Sequence, residues 1–137
     1  MKIIVCGSMT TSNEMVEIEK ELIKLGHTVV LPEFTHKYAS MNSFEEMHSE
    51  SYKNKIKYDL IRGYFNEIKD GDAVFVVNID RKGIKNYIGG NSLLEIGFAY
   101  VLNKPIYLLN EIPEISYKDE IIAMQPIIIG NNFALIK

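Results

Sequence analysis

Apolar residues along this chain gather into short β-branched runs, separated by stretches in which they recur at helical spacing. Lys2 to Cys6 is such a run, closed by Gly7, and predicts a buried strand. Met15, Ile18, Leu22 and Leu25 then recur at helical intervals and predict a helix. Thr11-x-x-Glu14 has the spacing of a capping box at its start, and Gly26 suits the position just past its end. His27 to Leu31, closed by Pro32, predicts a second strand. A strand, a helix and a strand in succession imply a parallel pair with a right-handed crossover.

Residues 33 to 52 carry no clear period, and Met41 to Met47 reads either as a helix capped by Asn42 or Ser43 or as a lid. From about Lys55 to Lys69 the spacing is helical, with Leu60, Ile61, Tyr64, Phe65 and Ile68 on one side, and Gly71-Asp72 ends it. Ala73 to Val77 is the cleanest buried strand. Asn78 to Asn91 is a polar, glycine-containing loop, and Ser92 to Leu102 predicts a helix buried on several sides. Pro105 to Leu109 and Ile127 to Ile129 predict the last strands, with a short helix at Lys118 to Met124 between them. This alternation predicts an α/β fold: an open, five-stranded parallel sheet in the order 2-1-3-4-5, helices on both faces. Such sheets bind ligands beyond the carboxyl ends of their strands, where the order reverses. Here that point falls between the first and third strands, at the loops Gly7 to Ser12 and Asn78 to Ser92.

Composition narrows the function classes. A length of 137 residues favours one domain covering 1–137. A net charge of −3 gives no basic face for nucleic acid, so no nucleic-acid partner is expected. The single cysteine, Cys6, excludes an internal disulfide and fits a reducing, cytoplasmic setting. No segment approaches the roughly 18 apolar residues of a membrane span, and no membrane partner is expected. His27, His36 and His48 lack the spacing of a metal pair, so no metal is expected. No cofactor is expected either.

Two loops carry the candidate chemistry. In Gly7-Ser8-Met9-Thr10-Thr11-Ser12 a glycine permits close approach, hydroxyls offer hydrogen bonds, and free amides at a helix start favour an anion. The competing reading is a turn with capping hydroxyls. In Gly89-Gly90-Asn91-Ser92-Leu93-Leu94-Glu95 the paired glycines admit a ligand closely, and Asn91 or Ser92 caps the helix. Ser92-x-x-Glu95 is also a capping box, in which Glu95 would bond only a backbone amide. If Glu95 is reactive, the helix start favours its charged form, which suits a nucleophile better than a proton donor. Asn78 ends the third strand and either orients a ligand or bonds the loop backbone. Tyr87 stacks on a base or packs the loop, and Lys82 and Lys85 reach a phosphate or are solvated. Cys6 has no basic partner in view and reads as a small buried thiol.

Val5-Cys6-Gly7-Ser8, Asp72-Ala73-Val74-Phe75-Val76-Val77 and the glycine-rich turn into Glu95-Ile96-Gly97-Phe98-Ala99 resemble the nucleoside 2-deoxyribosyltransferase superfamily, which includes deoxynucleoside monophosphate N-glycosidases. The resemblance spans about residues 2 to 109 and implies a flavodoxin-like three-layer sandwich. It implies cleavage or transfer at the N-glycosidic bond of a nucleoside or nucleoside 5′-monophosphate, with Glu95 as the attacking carboxylate. Gly7, Ser8, Thr10, Asn78, Gly90, Asn91 and Ser92 are then the candidate substrate-binding residues. It also implies a homodimer or larger assembly. Where it implies an aspartate in the helix before Asp72, this chain has Gly63-Tyr64-Phe65-Asn66. The alternative function is a nucleotide or nucleotide-sugar binding module without catalysis.

Overall fold

A computed structural model of the chain describes residues 1–40, 53 and 56–137. Its strands are β1 (Lys2–Cys6), β2 (Thr28–Val30), β3 (Ala73–Val76), β4 (Ile106–Leu108) and β5 (Ile127–Ile128). Its longer helices are α1 (Ser12–Lys24), α2 (Thr35–Ala39), α3 (Leu60–Asp70), α4 (Gly90–Val101) and α5 (Lys118–Ala123). The strands form a five-stranded sheet in the order β2-β1-β3-β4-β5, and every neighbouring pair is parallel. The fold is the expected α/β sandwich with that strand order.

Alternation along β1 sorts the core into two layers, because successive side chains leave a strand on opposite faces. Ile3 and Val5 pack with Met15 and Leu22 of α1 and with Phe75. Ile4 and Cys6 pack on the other face with Tyr64 and Ile68 of α3 and Ile96 and Ala99 of α4. Helices cover both faces, so β1 and β3 are near-continuous apolar runs. Ile3, Ile4, Val74 and Phe75 are fully buried, each worth about 1.5–3 kcal/mol of transfer free energy.

The helix boundaries depart from expectation in ways that matter at the site. α1 starts where predicted, with Thr11 at its N-cap, but no capping box forms. The Thr11 hydroxyl instead donates to the Ser8 carbonyl at 2.8 Å, inside a 3-10 turn over Met9–Thr11. Gly26 ends α1 as expected, with φ at +90°. The helical spacing from about Lys55 is broken at Asp59, which sits at φ 50° before Leu60 opens α3. α2 was not expected: it is five residues long and follows Phe34 at φ 68°, so it has neither a measurable period nor a capping residue. The helix or lid predicted over Met41 to Met47 lies outside the described residues.

Candidate functional site

The chain leaves β1 toward β2 on one side and returns to β3 on the other, so the loops at the carboxyl ends of these strands part. A cavity of about 890 Å³ opens there, of a size that holds a small organic ligand. Among the described residues, Gly7, Ser8 and Ser12 line one side, and Gly89 to Ser92 with Glu95 line another. Leu31 to Thr35 and Tyr38 follow β2, Tyr64 and Glu67 come from α3, and Arg81, Lys82 and Tyr87 come from the loop after β3.

The Gly7-Ser8 turn is shaped by close packing. A Cβ on Gly7 would lie 2.7 Å from Thr11 Oγ1 and 3.0 Å from Met15 Sδ, so the position needs glycine. Most hydroxyls of the segment are used locally. Ser12 Oγ donates to the Met9 carbonyl at 2.6 Å, and Ser8 Oγ and Thr10 Oγ1 share a bond of 2.8 Å. Thr10 does not line the cavity and reaches it only through Ser8. Neither the 3-10 turn nor α1 has a side-chain cap bond.

α4 begins at Gly90, with Gly89 as its N-cap and no side-chain cap bond. This start lies two residues before the predicted Ser92. Ser92 therefore sits inside the first turn and Glu95 in the second, and the competing reading, a Ser92–Glu95 capping box, does not form. The expectation that Glu95 occupies the first turn fails for the same reason, and with it the dipole argument, since that field fades within one turn. Both side chains are instead buried at the cavity, with Ser92 4% and Glu95 6% exposed.

Cys6 and Tyr64 belong to the same buried cluster, and the Glu95 charge acts on both. The Cys6 thiol donates to the Ile4 carbonyl at 3.8 Å. Burial first, and then the negative charge of Glu95, push the thiol well above its usual range, so it stays protonated. The Tyr64 hydroxyl donates to the Val5 carbonyl and lies 3.4 Å from the Val30 carbonyl, tying α3 to β1 and β2. Its pKa is also pushed well up, by burial first and then by Cys6, Glu95 and Glu67. Tyr64 lies within Gly63-Tyr64-Phe65-Asn66, the stretch in which the resemblance implies an aspartate.

The loop after β3 forms a basic arch over the cavity. Arg81 and Ile84 exchange backbone hydrogen bonds of 3.1 and 2.9 Å around Lys82 and Gly83, whose φ values are 54° and 74°. Asp80 accepts from the Asn86 amide at 2.9 Å and closes the base of the loop. The Arg81 guanidinium and the Lys82 ammonium lie 5.8 and 5.7 Å from the centre of the Tyr87 ring. Lys85 is exposed and outside the cavity wall.

Asn78 is not in the cavity wall. It is fully buried, its amide donates to the carbonyls of Asn110 and Glu111, and its carbonyl accepts from the Asn110 amide at 2.9 Å. It clasps the loop after β4, so of its two readings the geometry realises the backbone one. Gly7, Ser8, Gly90, Asn91, Ser92 and Glu95 do converge on one cavity. The walls from α2, α3 and the segment after β2 had no motif to announce them, and only the fold brings them in. Gly63 and Tyr64 fall in the stretch where the chain departs from the resemblance. His27 bonds the chain's amino terminus at 3.1 Å, and His36 lies 3.4 Å from Glu19, both away from the cavity.

Among the described residues no cluster of metal-ligating side chains exists, and no helix is long and apolar enough to cross a membrane. No protein-family model and no curated protein matches the chain. Among solved structures the chain is similar to a 2-deoxyribosyltransferase from the psychrotolerant bacterium Bacillus psychrosaccharolyticus. The match has 24% sequence identity and a TM-score of 0.48, and covers 79% of this chain and 71% of that one.

Proposed function

We propose that this chain works as one domain that cleaves or transfers the N-glycosidic bond of a nucleoside or nucleoside 5′-monophosphate, with Glu95 as nucleophile. The observation that carries this reading is the placement of Glu95. A buried carboxylate in the second turn of α4 lines a ligand-sized cavity opposite the Gly7-Ser8 turn and has no capping duty. The carboxylate attacks the anomeric carbon, the carbon–nitrogen bond breaks, and the base departs with that electron pair. Water or a second base then displaces Glu95 and releases the sugar, giving hydrolysis or transfer.

The polar lining suits the rest of the substrate. Gly7, Ser8, Gly90, Asn91 and Ser92 stand at two helix starts that have no side-chain cap, where amides favour a phosphate. Thr10 steadies Ser8, and Asn78 steadies the loop after β4 from behind. Purified protein incubated with deoxynucleosides and their monophosphates should release free base, followed by chromatography, and Glu95→Ala should stop it. No release from any substrate, or release unchanged in Glu95→Ala, rules the reading out.

Tyr64 supports a second reading, ligand binding without turnover. A tyrosine held protonated and donating to backbone carbonyls is a poor substitute for an acid–base carboxylate. Nucleotides that raise the melting temperature without being consumed would select this reading.

A further inference from the structure

Among the described residues, Arg81 and Lys82 are the cationic side chains of the cavity wall, and both stand on the arch after β3. The carboxylates of that wall, Glu33, Glu67 and Glu95, come from the segment after β2 and from α3 and α4. The arch is a built element. The Arg81–Ile84 backbone pair closes its tip, and the bond from the Asn86 amide to Asp80 closes its base. Both charges are held over one ring, 5.8 and 5.7 Å from the centre of Tyr87. A Cβ on Gly89 would lie 3.3 Å from Tyr87 Cε1, so the same ring packs on the backbone that opens α4. Lys82 sits at φ 54°, in the left-handed region that suits asparagine or glycine better. Its side chain therefore costs the fold, and strain of this kind gathers at ligand sites.

We propose that Arg81 and Lys82 clamp the 5′-phosphate of the ligand, so that the cavity takes a nucleoside monophosphate in preference to the nucleoside. This deepens the reading of the cavity as a nucleoside site and rests on it. The guanidinium offers a planar fork of donors to two phosphate oxygens, and the ammonium adds a compact point charge. Together they match a tetrahedral dianion. The Tyr87 ring holds both charges in place before the ligand arrives, which lowers the ordering cost of binding. The spacing along α4 agrees. Gly90 opens the helix beside the arch, and Glu95 lies a rise of about 7.5 Å further along its axis. A pentose 5′-phosphate bridges that gap with its anomeric carbon toward Glu95 and its phosphate toward the arch.

Calorimetric titration with 2-deoxyribose 5-phosphate and with 2-deoxyribose tests the clamp, because neither probe carries a base to be cleaved. The native protein should bind the sugar phosphate at least about tenfold more tightly than the sugar, the scale of hydrogen bonds to a charged group. Arg81→Gln should raise the Kd of the sugar phosphate about tenfold and Lys82→Gln about fivefold. Arg81→Lys, which keeps the charge and loses the fork, should recover part of the loss. Lys85→Gln removes the same charge from the same loop, but outside the cavity wall, and should leave the Kd unchanged. Absent binding of the sugar phosphate, or equal binding of the two probes, overturns the proposal. So does a Kd that stays put in Arg81→Gln and Lys82→Gln, or a loss in Lys85→Gln as large as in Lys82→Gln. The readout needs no turnover, so the two readings fail separately. Sugar phosphate held through Arg81 and Lys82, with no base released from any nucleotide, would end the glycosidic reading and keep the clamp. Base released equally fast from nucleosides and their monophosphates would end the clamp and keep the glycosidic reading.

Discussion

Ser92 and Glu95 lie one turn apart on α4 and turn the same face to the cavity, both buried, neither capping the helix that carries them. Residues three apart on a helix are surface neighbours, so the spacing that resembles a capping box equally well places two polar groups side by side in a pocket. The difference is a two-residue shift of the helix start. Gly89 and Gly90 enter the helix without a side chain to mark them, and the box loses its cap.

Glu95→Gln should therefore separate stability from activity. Base release should fall about a thousandfold or more, the scale of a lost nucleophile. The melting temperature should hold or rise, because a buried carboxylate is replaced by a neutral group of the same shape. Thermal denaturation beside the chromatographic assay checks both. A marked fall in melting temperature would mean that Glu95 serves the fold.

The sheet was readable because β-branched runs such as Ile3 to Val5 and Ala73 to Val76 are too apolar and too short for anything but buried parallel strands. Helix starts were less so, since Thr11 spends its hydroxyl on Ser8 and Gly89 has none. The two loops at the switch point were legible from topology together with their glycines and hydroxyls. The opposite wall was not. Tyr38 and Tyr64 reach the cavity through tertiary packing of their helices, which leaves no local spacing to detect. Cys6 shows the same limit: strand parity alone sets its face.

Tyr64→Phe tests how far that packing depends on one hydroxyl. Its removal leaves the Val5 carbonyl without this donor and frees α3 from its bond to β1. The variant should lose about 1–2 kcal/mol of stability, measured by denaturant unfolding with an unchanged slope. If the hydroxyl also moved a proton in the reaction, the loss of activity would greatly exceed what that destabilisation explains.

The Cys6 thiol links the site to alkaline stability. In the unfolded chain it ionises near its ordinary value of 9.0, whereas in the fold burial and Glu95 hold its pKa well above that. The unfolded state therefore loses a proton first, and stability present below pH 9.0 is lost as pH rises beyond it. Tyr64 adds a loss of the same sign above its ordinary 10.0. Cys6→Ser should flatten the slope of unfolding free energy against pH just above 9. In the native wild type, iodoacetamide should modify Cys6 only at the rate at which the core opens, and quickly in denaturant.

The basic arch offers a substitution whose effects on fold and ligand have opposite signs. Lys82 and Gly83 both sit at positive φ in a two-residue hairpin, the pattern of a type I′ turn, which favours Asn-Gly. A lysine there strains the backbone, so Lys82→Asn should stabilise the protein by about 0.5–1 kcal/mol. The same change removes an ammonium from the cavity wall. If a 5′-phosphate lies under the arch, the Kd for a nucleoside monophosphate should rise about fivefold to tenfold. Affinity for the uncharged nucleoside should stay unchanged. Calorimetric titration of both ligands against both proteins checks this. Equal weakening of the two would locate the phosphate elsewhere, at the helix starts beside Ser8 and Ser92.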